Sequence, residues 1–147
     1  MSSKLLTPRE LRIWHAFRLM GEDVLGRVGR DISRATGISG PEFAVLSRLE
    51  AIGKGEMRQQ ELARMLDWDK SRLSHQLTRM SQRSLIGRRS LESDSKTVLV
   101  VLTELGREKL NEARPIHAES VRRNLLSRLT SEQTATMVRI SNILGED

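Results

Sequence analysis

Between Met57 and Leu102 the hydrophobic period changes twice, and few folds accommodate that order of elements. The segment from Met57 to Leu66, MRQQELARML, places Leu62, Met65 and Leu66 at helical spacing. A short break at Asp67 and Trp68 follows. A second helix is then expected from Asp69, an N-cap whose side chain can accept from the free N–H groups of the first turn. At about 100° per residue, Leu73, Leu77, Met80 and Ser84 share one side of it. The opposite side is centred on Ser71, His75, Thr78 and Gln82, with Arg72 and Arg79 on its flank. After Leu85-Ile86 come Gly87-Arg88-Arg89, a polar interval from Ser90 to Lys96, and the β-branched run Val98-Leu99-Val100-Val101-Leu102. Helix, tight turn, helix, then two short strands around a loop make a winged helix-turn-helix.

The charge distribution assigns that motif a partner. Twenty residues, Lys70 to Arg89, carry Lys70, Arg72, Arg79, Arg83, Arg88 and Arg89 and no Asp or Glu. The chain has 25 Lys plus Arg against 19 Asp plus Glu, so removing those six leaves 19 basic residues facing 19 acidic ones. The whole formal charge of +6 is therefore local. A confined basic stripe is the footprint of a polyanion. Arg and Gln can pair bidentately with base edges, and Ser and Thr hydroxyls reach bases or phosphates. The residues expected to meet double-stranded DNA are Ser71, Arg72, Ser74, His75, Gln76 and Arg79 at the bases, Lys70 and Arg83 at the helix ends, and Arg88, Arg89 and Lys96 on the backbone.

Helices flank the motif on both sides. Thr7-Pro8-Arg9-Glu10 is a capping box with a first-turn proline, and the stripe Ile13, Phe17, Met20, Val24, Val28, Ile32 runs from it towards Gly37. A second helix is expected from Pro41, burying Phe43, Leu46 and Leu49 and ending near Gly53. Beyond the wing, Thr103 can cap a long helix containing Leu105, Leu110, Ile116, Val121, Leu125 and Leu129, with a kink at Pro115. Thr130-Ser131-Glu132-Gln133 opens a last helix with Met137, Ile140 and Leu144. The expected class is mainly α with a small β-wing. Residues 1–40 form an N-terminal dimerisation helix, 41–102 the DNA-binding lobe, and 103–147 the C-terminal dimerisation helices. Burying the outer apolar stripes between two copies is the economical arrangement, although packing within one chain would also cover them.

At 147 residues the chain can bury a core, and it has no cysteine, which excludes disulfides, thiolate metal sites and thiol nucleophiles. It has no Gly-rich phosphate loop, no Gly-x-Ser-x-Gly and no His-Glu-x-x-His, so an enzyme is not expected and no cofactor is implied. His15, His75 and His117 lack the spacing of a metal site. With no run of eighteen apolar residues, a membrane partner is not expected and the location read is cytoplasmic.

Along nearly its full length the chain resembles the MarR-type winged-helix transcriptional regulators. Phe43-Ala44-Val45-Leu46 is similar to the family's second helix, Gln60-Glu61-Leu62-Ala63 to its third, and Ser71-Arg72-Leu73-Ser74 to Leu77 to its recognition helix. Leu85-Ile86, Arg88-Arg89 and Val98 to Gly106 resemble its wing and the start of its fifth helix. The resemblance implies a homodimer on a pseudo-palindromic operator, with each recognition helix in a major groove. It also implies a repressor relieved by a small aromatic or phenolic anion. One departure is visible: where the family's wing carries Asp-x-Arg, this chain has Asp94-Ser95-Lys96, and Lys lacks the planar guanidinium fork.

Trp14, His15 and Arg18 fall within about one helical turn and could hold an aromatic carboxylate, with Trp68 closing the other side. The same residues also fit plain structural duties: Trp14 in a dimer core, Trp68 filling the turn, His15 and Arg18 in solvent. A winged helix used for protein or RNA binding, without a ligand response, is the alternative reading. An acid-free recognition helix without stacking aromatics argues against it.

Overall fold

The computed structural model describes residues 4–146 of the chain. Six helices and a three-stranded sheet follow one another as α1 (Pro8–Thr36), α2 (Gly40–Ala51), β1 (Glu56–Arg58), α3 (Gln59–Leu66), α4 (Lys70–Gln82), β2 (Ile86–Leu91), β3 (Asp94–Leu102), α5 (Glu104–Asn124) and α6 (Ser131–Gly145). A 3-10 turn at Leu126–Arg128 precedes α6. The chain forms two compact units, one running from Gly29 to Ile116 and the other built from residues up to Val28 together with those from His117 onward. The stretch expected to bind DNA, 41–102, falls inside the first unit. The expected 1–40 and 103–147 lobes each contribute residues to both.

Local chemistry sets most helix starts. Thr7 and Glu10 exchange hydrogen bonds at the start of α1: the Thr7 N–H donates to Glu10 Oε2 at 2.7 Å and the Glu10 N–H to Thr7 Oγ1 at 3.3 Å. Thr130 and Gln133 do the same for α6. Ser39 and Glu42 form a third capping box, which starts α2 at Gly40 rather than Pro41. The Asp69 carboxylate accepts from the Arg72 N–H at 2.8 Å and starts α4 as expected.

The core of the 29–116 unit is formed by Ile32, Ile38, Leu46, Leu49, Leu62, Leu73, Leu77, Met80, Ile86, Val100 and Leu110, all but fully buried. Val45 is fully buried where Phe43 was expected to be; Phe43 is half-buried. The sheet is antiparallel in the order β1-β3-β2. Its third strand, β1, corrects the sequence reading, which placed Met57 and Arg58 in a helix. Met57 instead pairs with Val100 and Arg58 with Leu99. Both helices of the helix-turn-helix end in a left-handed residue, Asp67 at φ 52 and Ser84 at φ 61. The following N–H groups of Trp68 and Leu85 reach back to the carbonyls of Ala63 and Met80 at 3.0 Å each. The recognition helix therefore stops at Gln82, and Ser84 is exposed past its end rather than on its apolar side. Helix α5 stops at Asn124, so Leu125 and Leu129 lie outside it, while Pro115 lies within.

Candidate nucleic-acid interface

Helix α4 turns Leu73, Leu77 and Met80 into the core and leaves Lys70, Ser71, Arg72, His75, Thr78 and Arg79 exposed, with Ser74 half-buried. Gln76 does not share that exposure. It is buried, and its Oε1 accepts a hydrogen bond from Arg79 Nη2 at 2.8 Å, so it steadies Arg79 from below instead of facing outward. Positions 73, 76 and 80 are three and four apart, which puts Gln76 on the core side of the helix.

Each arginine of the acid-free stretch has an intramolecular partner. The Arg72 guanidinium lies over the Trp68 ring, 4.1 Å from its centroid. Arg88 Nη2 donates to Thr78 Oγ1 at 2.8 Å, linking the wing to the recognition helix. Arg89 Nη2 meets Glu56 Oε2 at 3.0 Å. Arg83 Nη1 lies 2.6 Å from both Glu42 carboxylate oxygens, and its Nη2 donates to the Gly37 carbonyl at 2.9 Å. That geometry changes the reading of Arg83. Its charge is matched by Glu42, whose Oε1 also accepts from the Ser39 N–H at 3.0 Å. Arg83 thus ties the end of α4 to the start of α2 instead of standing free for a phosphate.

The wing separates its two arginines by strand alternation. Arg88 pairs with Val100 and Arg89 with Leu99, so successive side chains point to opposite faces of the sheet. Arg88 shares its face with buried Ile86, Val100 and Met57 and reaches the recognition helix; Arg89 extends over the outer face to Glu56 on β1. At the tip, Asp94 accepts from Thr97 Oγ1 at 2.8 Å and from the Lys96 N–H at 3.0 Å. The Thr97 hydroxyl, followed by the Lys96 amide, holds the Asp94 carboxyl below the usual carboxylate range. Asp94 therefore ties its own turn together and leaves the exposed Lys96 side chain unsteadied. Gln59, at the start of α3, has a buried Oε1 without a hydrogen-bond partner among the described residues, beside the cleft between α4 and the wing. Nothing in the local pattern marks Gln59 for this place.

The four residues grouped as a ligand site divide between the two units. Trp14, His15 and Arg18 are exposed on α1. The Trp14 ring stacks on Phe17 with centroids 6.2 Å apart, and Arg18 Nη2 pairs with Glu22 Oε1 at 3.1 Å. Trp68 belongs to the 29–116 unit, where it carries Arg72. His117 is half-buried, and burial lowers its pKa. Among the described residues, no group of three or more His, Asp or Glu gathers where a metal ion could bind.

A buried-faced helix, a left-handed turn, an acid-free exposed helix and a three-stranded wing together define a winged-helix protein. Residues 28–113 match the family described as transcriptional regulator SarA/Rot. A search of curated proteins finds no match. Among solved structures, Sco3205, a MarR family transcriptional regulator from Streptomyces coelicolor in complex with DNA, is 27% identical with a TM-score of 0.88, covering 98% of this chain and 91% of that one. AbsC, a MarR family regulator from the same organism, is 29% identical with a TM-score of 0.83, covering 98% of this chain and 100% of that one. A mutant MarR from E. coli, complexed with operator DNA, shares the fold at 18% identity and a TM-score of 0.85, covering 97% of this chain and 100% of that one. The chain belongs to the SarA/Rot family of transcriptional regulators and has the winged-helix fold of the MarR type. No helix among its described residues is long and apolar enough to cross a membrane.

Proposed function

We propose that the protein is a homodimeric, sequence-specific regulator that binds a pseudo-palindromic duplex and represses transcription by occupying it. The observation that carries this reading is the acid-free face of α4, with Lys70, Arg72, His75 and Arg79 exposed and Arg88 reaching it from the wing. It is supported by the DNA complex of the similar Sco3205. The N-terminal turns of α4 enter the major groove, where side chains meet base edges, while Arg88 and Lys96 meet phosphates. Arg88→Ala should weaken binding to all duplexes alike, by roughly 1 kcal/mol, and reduce the slope of log affinity against log salt by about one. Fluorescence anisotropy over a salt series reads both; a loss confined to one sequence would place Arg88 at a base instead.

The homodimer accounts for the other unit. Helices α1 and α6 leave Ile13 60%, Leu19 53% and Ile143 68% exposed, more apolar surface than a lone soluble unit usually shows. Two copies covering these faces would set the recognition helices about one turn of duplex apart.

Relief of repression by a small aromatic anion belongs to the same proposal. The helical unit contains an apolar groove of about 620 Å³ bordered by Phe17, Met20, Leu129, Met137, Ile140 and Leu144, and Arg18 borders a second groove that shares Phe17, Met20 and Met137. The Arg18–Glu22 pair is exposed on both sides, so a carboxylate ligand can displace it at little cost. Titrating benzoic and hydroxybenzoic acids should release DNA from the wild type and not from Arg18→Ala. Equal release from both would remove the cation from the role.

A further inference from the structure

The arginines near the duplex face sort by the charge of what holds them. Arg83 and Arg89 are held by carboxylates, Glu42 and Glu56. Arg72, Arg79 and Arg88 are held by neutral groups: an indole, an amide oxygen and a hydroxyl. The buried Glu42 fixes the Arg83 guanidinium and offsets its charge, whereas the Arg89–Glu56 pair is exposed on both sides and gives way to a phosphate at little cost. A neutral partner fixes a guanidinium and leaves its charge for a polyanion.

Arg72 is the most informative of the three. It stands on the first turn of α4, in the part of a recognition helix that meets base edges. Its partner does not belong to that helix. Trp68 lies in the turn before α4, is half-buried, and has its backbone N–H tied to the Ala63 carbonyl at 3.0 Å. The ring is therefore a platform anchored to α3, with the Arg72 guanidinium carbon over it, 4.1 Å from its centroid. Stacking uses the face of a guanidinium and hydrogen bonding uses its edge, so a stacked arginine keeps its fork of N–H donors for a guanine O6 and N7.

We propose that Trp68 is a positioning residue for base recognition: its indole, set by the helix-turn-helix turn, holds the Arg72 guanidinium edge-outward before DNA arrives. The proposal rests on the DNA-binding reading above. A free arginine side chain loses rotamer freedom when it docks, and a pre-stacked one has already lost much of it. The gain falls on the sequence that Arg72 reads, because a non-specific complex does not require the guanidinium edge at one place. Tryptophan suits the platform best of the aromatic residues, and leucine would keep apolar bulk while removing the π-face.

The test uses a duplex selected by the wild-type protein from a random pool, and a scrambled duplex of equal length. Dissociation constants are measured for both with wild type, Trp68→Leu, Trp68→Phe, Arg72→Ala and the double variant Trp68→Leu/Arg72→Ala. Trp68→Leu should lose about tenfold on the selected duplex and less than about twofold on the scrambled one. Trp68→Phe should recover part of the loss, and the double variant should bind no more weakly than Arg72→Ala alone. Losses that multiply in the double variant, an equal loss on both duplexes, or no loss at all would overturn the proposal. Should Trp68→Leu fail to fold, the cycle between Trp68→Phe and Arg72→Ala decides by the same criteria. If the pool yields no preferred duplex, the DNA-specific reading itself has failed, and this proposal fails with it.

Discussion

Gly106→Ala is expected to lower the stability of the 29–116 unit by about 3 kcal/mol, although alanine is normally the better helix former by about 1 kcal/mol. The cause is a backbone contact. Thr103 caps α5 by accepting from the Gly106 N–H at 3.0 Å, while its own hydroxyl donates to the Ser84 carbonyl at 2.6 Å. These bonds press the first turn of α5 onto the chain leaving the recognition helix. A Cβ at position 106 would overlap the Leu85 carbonyl oxygen and crowd Leu102 Cδ1. Leu85 and Ile86 are both buried, so that carbonyl cannot move aside without disturbing the core. Urea unfolding of the variant should show a lower midpoint with an unchanged slope. A stability equal to or above wild type would mean that the two segments do not lie this close.

The second large effect is expected at the apolar face of the helical unit. Ile143→Asp leaves the fold of a single copy intact, because the side chain is 68% exposed there. In a dimer that covers this face, each copy would bury an unpaired carboxylate at a cost of at least about 3 kcal/mol, or about a hundredfold in the dimer dissociation constant for each copy. Binding to a two-half-site duplex should collapse with it, since a monomer engages one half-site and loses the advantage of linkage. Sedimentation would show a monomer with unaltered circular dichroism. A variant that remains dimeric and keeps its DNA affinity would place the dimer contact elsewhere.

What could be read in the sequence follows the range of the interactions involved. The capping residues Thr7, Asp69 and Thr130 act within three positions and were legible from composition and spacing. Strand β1 was not, because three residues cannot display a period of two and its partner β3 begins near position 94. Arg83 looked like part of the recognition helix, but α4 ends one residue earlier, and its partner Glu42 lies 41 positions away. The burial of Gln76 is hard to read for a different reason. Its position marks it as core-facing, and its amide chemistry made it look like a base reader. Gly106 was visible only as part of a family resemblance; the crowding that requires glycine comes from Leu85, which no local pattern reveals. Trp68 and Arg72 are four apart across the start of a helix, so their proximity was available in the spacing, while the stacking that gives Trp68 a duty on this face was not.

The acid-free stretch from Lys70 to Arg89 is expected to bind a particular DNA sequence as part of a dimer. Selection from a random duplex pool, followed by affinity measurements on the selected and a scrambled duplex across a salt series, tests it most directly. The expected result is one dimer on a pseudo-palindrome with half-sites about one helical turn apart, and log affinity falling linearly in log salt with a slope set by about six to ten phosphate contacts. Equal affinity for both duplexes, or binding that does not respond to salt, would contradict it.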